Sequence, residues 1–421
     1  MPNAAPRLLL ADCDQMFVAV ARLVDPEGAG RARLLVVGGA AGSRGVVCSA
    51  SYEARAYGVR SGMPIARAAR LCPEATFVPV PRQACVTKSR QVRRLLGRWS
   101  PRVEAASIDE FYLDLSGTEA LYRHESLAIT AGRLRDDVRA RSGLTLSVGG
   151  GPNRLVAKLA AERAKPRPGS AGTGVWIVPP GGEAEFLATH RLAEIPGVGP
   201  RLQAKLRSVG LEEVRDALAV AERDFEAWLG PRTGQWLHRR IRGIGSAAVE
   251  PRGEPKSISR EETFAADIAD PDRLDLELLR LTTRLGADLR RDALQARCVT
   301  VKLRDDDFVT RQASRTLDSA FQADRVPLGV ARELLAALWG RRRRPARLVG
   351  VAFSRFETGP KIRQLDLLSD AGDPQLETGR DREVARLLDR VNGRFGRAVL
   401  RPARLVGPRP GGVPPRDTEQ R

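Results

Sequence analysis

The spacing of apolar residues changes several times along the chain and predicts a mixed order of strands and helices. Residues 7–11, R-L-L-L-A, read as a short buried strand that runs into D-C-D, and F-V-A-V-A-R-L continues as a helix until P-E-G-A-G breaks it. L-L-V-V-G-G and G-V-V-C-S-A read as paired strands, followed by a short helix-rich piece ending near Pro79. A helical stretch covers Val86 to Trp99, then come two strands, V-E-A-A-S and F-Y-L-D-L. An amphipathic helix spans Ile129 to Arg141, then the strand L-T-L-S-V-G and the helix Asn153 to Arg163. This order predicts an α+β domain around one mainly antiparallel sheet.

Two breaks divide the chain. The first is A-K-P-R-P-G-S-A-G-T-G, after which short helices with glycine punctuation carry little strand signal. The second is the Pro/Gly-rich R-G-I-G-S-A-A-V-E-P-R-G-E-P. From Lys256 to about Phe356 the pattern reads strand, helix (Pro271 to Leu289), strand (Val299 to Arg304), a turn at Asp305 to Asp307, strand (Phe308 to Thr316), helix (Leu328 to Trp339) and strand (Arg347 to Ser354). That is a βαββαβ unit. The remainder offers one amphipathic helix, Arg380 to Arg394, and a Pro/Gly-rich end read as disordered.

The 421 residues suffice for roughly two to four domains. Seventy Lys and Arg against fifty-one Asp and Glu leave a net charge of +19, which favours a polyanionic partner such as nucleic acid. Only seven of the seventy cations are Lys, so an Arg-rich codon bias contributes to that excess. Cys13, Cys48, Cys72, Cys85 and Cys298 form no C-x-x-C pair and the three His stand far apart, which argues against a zinc site or a secreted disulfide framework. The first apolar run is too short for a signal peptide, and no run approaches a membrane span. The expectation is a cytoplasmic protein that reaches DNA in the nucleoid.

Carboxylates cluster where strands end. Asp12 and Asp14 close the first strand, and Asp109 and Glu110 sit in S-I-D-E-F-Y-L-D-L. Adjacent strand residues point to opposite faces, so Asp109 and Glu110 act together only if they sit at a turn between V-E-A-A-S and F-Y-L-D-L. Carboxylates held this way suit Mg²⁺, and a pair of such ions serves phosphoryl transfer. Taken singly, each acidic residue is an ordinary turn former.

D-C-D-Q-M-F, V-V-C-S-A-S-Y-E-A-R-A-Y-G-V-R-S-G-M-P, S-I-D-E-F-Y-L-D-L and L-T-L-S-V-G-G-G-P-N-R-L-V-A-K-L-A-A-E-R-A-K-P stand in this order. Together they resemble the successive motifs of the Y-family translesion DNA polymerases, of the bacterial DNA polymerase IV type, from residue 7 to about 357. The resemblance implies a right-hand architecture: palm at 1–24 and 80–174, fingers at 25–79, thumb at 175–245, a linker at 246–255, a little finger at 256–357 and a tail at 358–421. It implies a DNA-directed DNA polymerase that inserts dNTPs opposite damaged template with low fidelity and no proofreading domain, using two Mg²⁺ ions. Asp12 and Asp109 would bridge the metals, Glu110 would complete the primer-side site, and the Cys13 backbone carbonyl would join the nucleotide-side site. Tyr52, Arg55 and Lys165 match the ligands of the incoming triphosphate. Phe17 stands at the steric-gate position, with Met16 where the family often has an aromatic.

L-A-E-I-P-G-V-G-P-R-L-Q-A-K-L-R-S-V-G-L resembles a helix-hairpin-helix, in which Gly197 and Gly199 let backbone N–H groups approach a phosphate and Lys205 reaches the DNA backbone. Lys302 and Arg304 on one strand and Arg311 and Arg315 on the next are expected to lie across a duplex. Gln364, Leu365, Asp366, Leu367 and Leu368 resemble the family's sliding-clamp peptide, with Leu368 in place of the usual terminal Phe. Primer-template DNA, dNTPs and the clamp are the expected partners of a monomer. Two alternatives remain: a UmuC-type catalytic subunit that requires an accessory partner, and a non-catalytic DNA-binding scaffold. The filled acidic positions argue against the scaffold.

Overall fold

The computed structural model describes residues 7–166, 172–250, 253–357, 376–396 and 399–406. The chain divides after Gly253 into two compact units.

The first unit is built on a five-stranded sheet in the order Arg102–Ala105, Glu110–Asp114, Leu8–Cys13, Leu146–Gly151, Val175–Ile177. The central strand Leu8–Cys13 is buried along its whole length, as its L-L-L-A-D-C run requires, and pairs antiparallel with both neighbours. Its odd residues Leu9, Ala11 and Cys13 join Val92, Leu96, Leu134 and Val138 of the helices Arg82–Leu96 and Leu127–Ser142. Its even residues Leu8 and Leu10 face the helix Arg154–Ala164 through Ala157 and Ala161. That helix can come so close because residue 149 is glycine: a Cβ there would lie 2.0 Å from Ala161 N.

The edge strand Val175–Ile177 runs parallel to Leu146–Gly151. The sheet thus extends past residue 174, where the sequence reading had placed the start of the thumb. V-W-I is too short a run to announce itself as a strand. A smaller sheet, Ser49–Ala50, Leu35–Val37, Thr76–Val78, carries the helices Tyr52–Ala56 and Ile65–Leu71. Thr76–Val78 was read within a helix-rich piece; it is a strand, parallel to Leu35–Val37.

Residues 183–241 form short helices whose apolar faces share one cluster with Leu155, Val156 and Leu159 of the helix Arg154–Ala164. The first arm of the expected helix-hairpin-helix is a single 3₁₀ turn, Leu192–Glu194; the second is the helix Pro200–Arg207.

The second unit follows the predicted βαββαβ order: Ser257–Ile268, Pro271–Arg291, Gln295–Asp305, Thr310–Phe321, Arg325–Gly340, Ala346–Glu357. All strand pairings are antiparallel, and both helices pack on one face of the sheet. The later helix Gly379–Phe395 returns to this unit through Asp389 on Arg290 and Asp381 on Arg325.

Candidate active site

Antiparallel register places Asp12 directly opposite Glu110, with Leu10 opposite Tyr112. Both carboxylates therefore leave the sheet on the face covered by the helix Arg154–Ala164. Asp109 stands in the turn just before the strand Glu110–Asp114, as joint action with Glu110 demands. The turn is closed by Ala106 N–H donating to Glu110 O (2.9 Å), and the Ser107 hydroxyl donates to Asp109 Oδ1. Cys13 N–H donates to Asp109 O at 2.9 Å, locking the two motif segments together. The Cys13 thiol is a packing group in the core, and burial pushes its pKa up.

The helix Arg154–Ala164 supplies the cations. Lys165 caps its end ahead of Pro166 and sets Nζ 2.9 Å from Asp12 Oδ2 and 2.5 Å from Glu162 Oε1. Lys158 Nζ lies 2.5 Å from Glu110 Oε1. Asp12 is 6% exposed. Burial pushes its carboxyl up to about 7 although the ammonium of Lys165 opposes the shift. The pKa of Lys165 is raised: burial works against its charge, and Asp12 and Glu162 outweigh that.

Tyr52 and Arg55 share the short helix Tyr52–Ala56, with the guanidinium 5.8 Å from the Tyr52 ring centroid. Arg55 Nε donates to Ala50 O at 3.0 Å. Burial raises the Tyr52 pKa, the charge of Asp14 adds to it, and a hydrogen bond with Gln15 and the charges of Lys165 and Arg55 oppose it. Gln15 holds a left-handed backbone, φ 46°, at the start of the helix Met16–Val24. Asp14 is buried and accepts from Ser147 Oγ at 2.6 Å. Phe17 is half-buried and packs against the core clusters on both sides of its helix, while Met16 is fully enclosed.

Sequence reasoning assigned no site role to Gln15 or Ser107. Ser107, two residues before Asp109, was the readable signal, since a serine there favours a local turn.

Among the basic positions, Gly197 has φ 102°, and a Cβ there would strike the Trp236 ring at 2.7 Å. Gly199 is extended and caps the helix Pro200–Arg207 with open space around it, and Lys205 is exposed on that helix. Lys302 and Arg304 alternate on the sheet face away from the helices, where Lys302 pairs with Glu261 and Arg304 Nε donates to Thr310 Oγ1 at 2.8 Å.

Arg311 and Arg315 share a face, as alternation predicts, but it is the face opposite to that of Lys302 and Arg304. Register pairs Arg311 with Leu303, an inward residue, so both arginines turn to the helix side. Arg311 closes on Asp305 at 2.7 and 2.9 Å, and Arg315 pairs with Glu333 at 2.5 Å. Gln364, Leu365, Leu367 and Leu368 lie outside the described residues.

A divalent ion suits this donor set: carboxylates and a backbone carbonyl are hard oxygens, and burial makes the bare Asp12 carboxylate costly. Yet among the described residues no three acidic, His or Cys side chains converge on one point. Their carboxylates are turned to the two lysines and to Ser107 instead.

Residues 11–162 match the impB/mucB/samB family, residues 255–367 its C-terminal domain, and residues 193–245 the thumb domain described for DNA polymerase-iota. The chain is 41% identical to the DNA polymerase IV of Methanoculleus marisnigri, over 85% of this chain and 97% of that one. It is 37% identical to the DNA polymerase IV of Halorhodospira halophila, over 86% and 98%. Among solved structures it resembles a chimera of the Y-family polymerases Dbh and Dpo4, TM-score 0.72 at 24% identity, over 83% of this chain and 98% of that one. DinB from Sulfolobus solfataricus matches over the same shares, with TM-score 0.55 at 25% identity. The acidic end of the first strand, Ala11 to Cys13, and the turn before Glu110 fall inside the first matched region. This chain belongs to the Y-family of translesion DNA polymerases, in the DNA polymerase IV group, and is a DNA-directed DNA polymerase.

Proposed function

We propose that the site at Asp12, Asp109 and Glu110 extends a primer on DNA, inserting dNTPs opposite damaged template. The observation that carries this reading is the cross-strand pairing of Asp12 with Glu110, with Asp109 in the adjoining turn. The family depends on divalent metal; here Asp12, the Cys13 carbonyl, Asp109 and Glu110 would hold two Mg²⁺, which supply charge that favours attack by a primer hydroxyl and departure of pyrophosphate. Tyr52, Arg55 and Lys165 hold the triphosphate, the arginine as a planar fork and the lysine as a point charge. Phe17 lies in the first turn of the helix Met16–Val24, just past the acidic strand end, and closes the space beside the sugar C2′. The hairpin at Gly197 and Gly199 with Lys205, and the strand face of Lys302 and Arg304, hold DNA through its phosphates without reading sequence.

No helix among the described residues is long and apolar enough to cross a membrane. The protein works as a monomer in the cytoplasm and nucleoid, and Gln364 to Leu368 dock it on the sliding clamp. Extension of a primed template by the purified chain, with undamaged and damaged template bases, tests the reading. Extension without any accessory protein is expected; activity only on addition of a partner protein would contradict it.

A further inference from the structure

An ion shared by Asp12 and Glu110 needs an oxygen from each, and an ammonium group already holds one oxygen of each carboxylate. Lys165 Nζ sits on Asp12 and Lys158 Nζ on Glu110. Lys165 has a further use on the triphosphate. Lys158 has none assigned, yet it is neither solvated nor incidental. It stands seven residues before Lys165, almost two full helical turns, so the same helix face presents both ammonium groups to the carboxylates. Its side chain is less than a third exposed, and Glu110 is its hydrogen-bond acceptor. In a chain that uses Arg for sixty-three of seventy cations, a lysine here supplies a compact charge that detaches easily, where a guanidinium fork would bind a carboxylate in two places.

We propose that Lys158 is a positioning residue that stands in for a divalent cation: its ammonium holds the Glu110 carboxylate until an ion arrives, and the ion then displaces it. The inference rests on Glu110 being a metal ligand. It accounts for the contrast between a donor set suited to a dication and side chains turned away from a common point. Removing Lys158 takes one positive charge from beside Glu110, Asp12, Asp109 and Glu162, so the site attracts a dication more strongly and is less stable before one binds.

Mn²⁺ alone, titrated into the full chain and followed by electron paramagnetic resonance, reads the effect. Lys158→Met keeps the aliphatic stem and removes the charge, and should bind Mn²⁺ roughly threefold or more tightly than wild type. Lys158→Arg, whose fork releases the carboxylate less readily, should bind Mn²⁺ more weakly than wild type. Thermal melting gives a second readout: Lys158→Met should melt lower than wild type in chelator, and saturating Mn²⁺ should narrow the gap. Lys158→Gln, also uncharged, serves if the Met variant misfolds, and should show the same tightening. Unchanged or weaker Mn²⁺ binding, with binding still lost in Asp109→Asn, would overturn the placeholder and leave the metal site intact. Wild-type Mn²⁺ binding that is indifferent to both Asp109 and Glu110 would overturn the metal site and the placeholder together.

Discussion

Arg311 closes on Asp305 with two hydrogen bonds, and Asp305 has no exposed surface. Arg342 reaches the same carboxylate at 2.8 Å. This buried group organises the turn at Asp305 to Asp307, so Arg311 acts on the fold. Arg311→Ala should therefore destabilise the protein by about 3 kcal/mol, the usual scale for breaking a buried pair. Its DNA affinity at low temperature should change little. Arg304→Ala should behave oppositely, keeping the melting temperature while lowering the salt slope of DNA binding by about one. Denaturant melts and salt titrations separate the two; a weakened, still stable Arg311→Ala would return that residue to the DNA surface.

Asp109→Asn and Glu110→Gln should each abolish primer extension while DNA binding stays nearly intact. Affinity comes from basic surfaces spread over the chain, and loss of a metal ligand costs several kcal/mol of transition-state stabilisation. Rapid-quench extension paired with a gel-shift measurement checks both halves. Extension near the wild-type rate in either variant rules out the acidic assignment.

Phe17→Ala should give a folded, active enzyme that incorporates ribonucleotides at least about tenfold more readily relative to dNTPs, or ~1.4 kcal/mol of lost discrimination. Phe17 packs against the core from its margin and is not fully enclosed, so its truncation should leave the fold standing. Single-nucleotide insertion with matched rNTP and dNTP measures the ratio. If the ratio holds, or the variant unfolds, Phe17 is a core residue.

The Asp12 carboxyl, raised to about 7 from an ordinary 3.8, is held protonated by the fold at pH values where an unfolded chain has lost that proton. In chelator, its contribution to stability is present below pH 3.8 and is lost as pH rises towards 7. Divalent ions need the carboxylate, so Mn²⁺ affinity should fall as pH drops below about 7. Asp12→Asn should remove this part of the pH dependence of stability. A Mn²⁺ affinity flat between pH 6 and 8 would contradict the assignment.

Replacing Gln364, Leu365 and Leu367 with Ala should leave distributive synthesis on a bare primer unchanged and remove stimulation by the sliding clamp. A short peptide of this kind is anchored by a few apolar side chains. Stimulation that survives the triple change would mean that another segment makes the contact.

Much of this architecture was readable because its period is strong. L-L-L-A and the Leu-rich run after Pro271 announce a buried strand and an amphipathic helix whatever surrounds them. Val175–Ile177 was not readable, since three residues joining an existing sheet edge carry no period of their own. Which face Arg311 and Arg315 take was not readable for a different reason. Alternation shows which residues of one strand share a face, but only the register across the turn shows which face that is. The acidic positions were legible from their motifs. The contact of Lys158 with Glu110 was not, because it depends on how closely a helix lies on a sheet, and the glycines at 149 and 151 allow that approach.

The helix Arg154–Ala164 is a shared beam. Leu155, Val156 and Leu159 lie in the apolar cluster of the short helices, Ala157 and Ala161 lie against the central strand, and Lys158 and Lys165 touch Glu110 and Asp12. A slide of one residue along its axis is about 1.5 Å, enough to part both ammonium–carboxylate contacts. Load placed on the short helices is therefore felt at the acidic cluster without any intervening loop. The arm between them is one helix of eleven residues, with Lys165 as the residue that ends it.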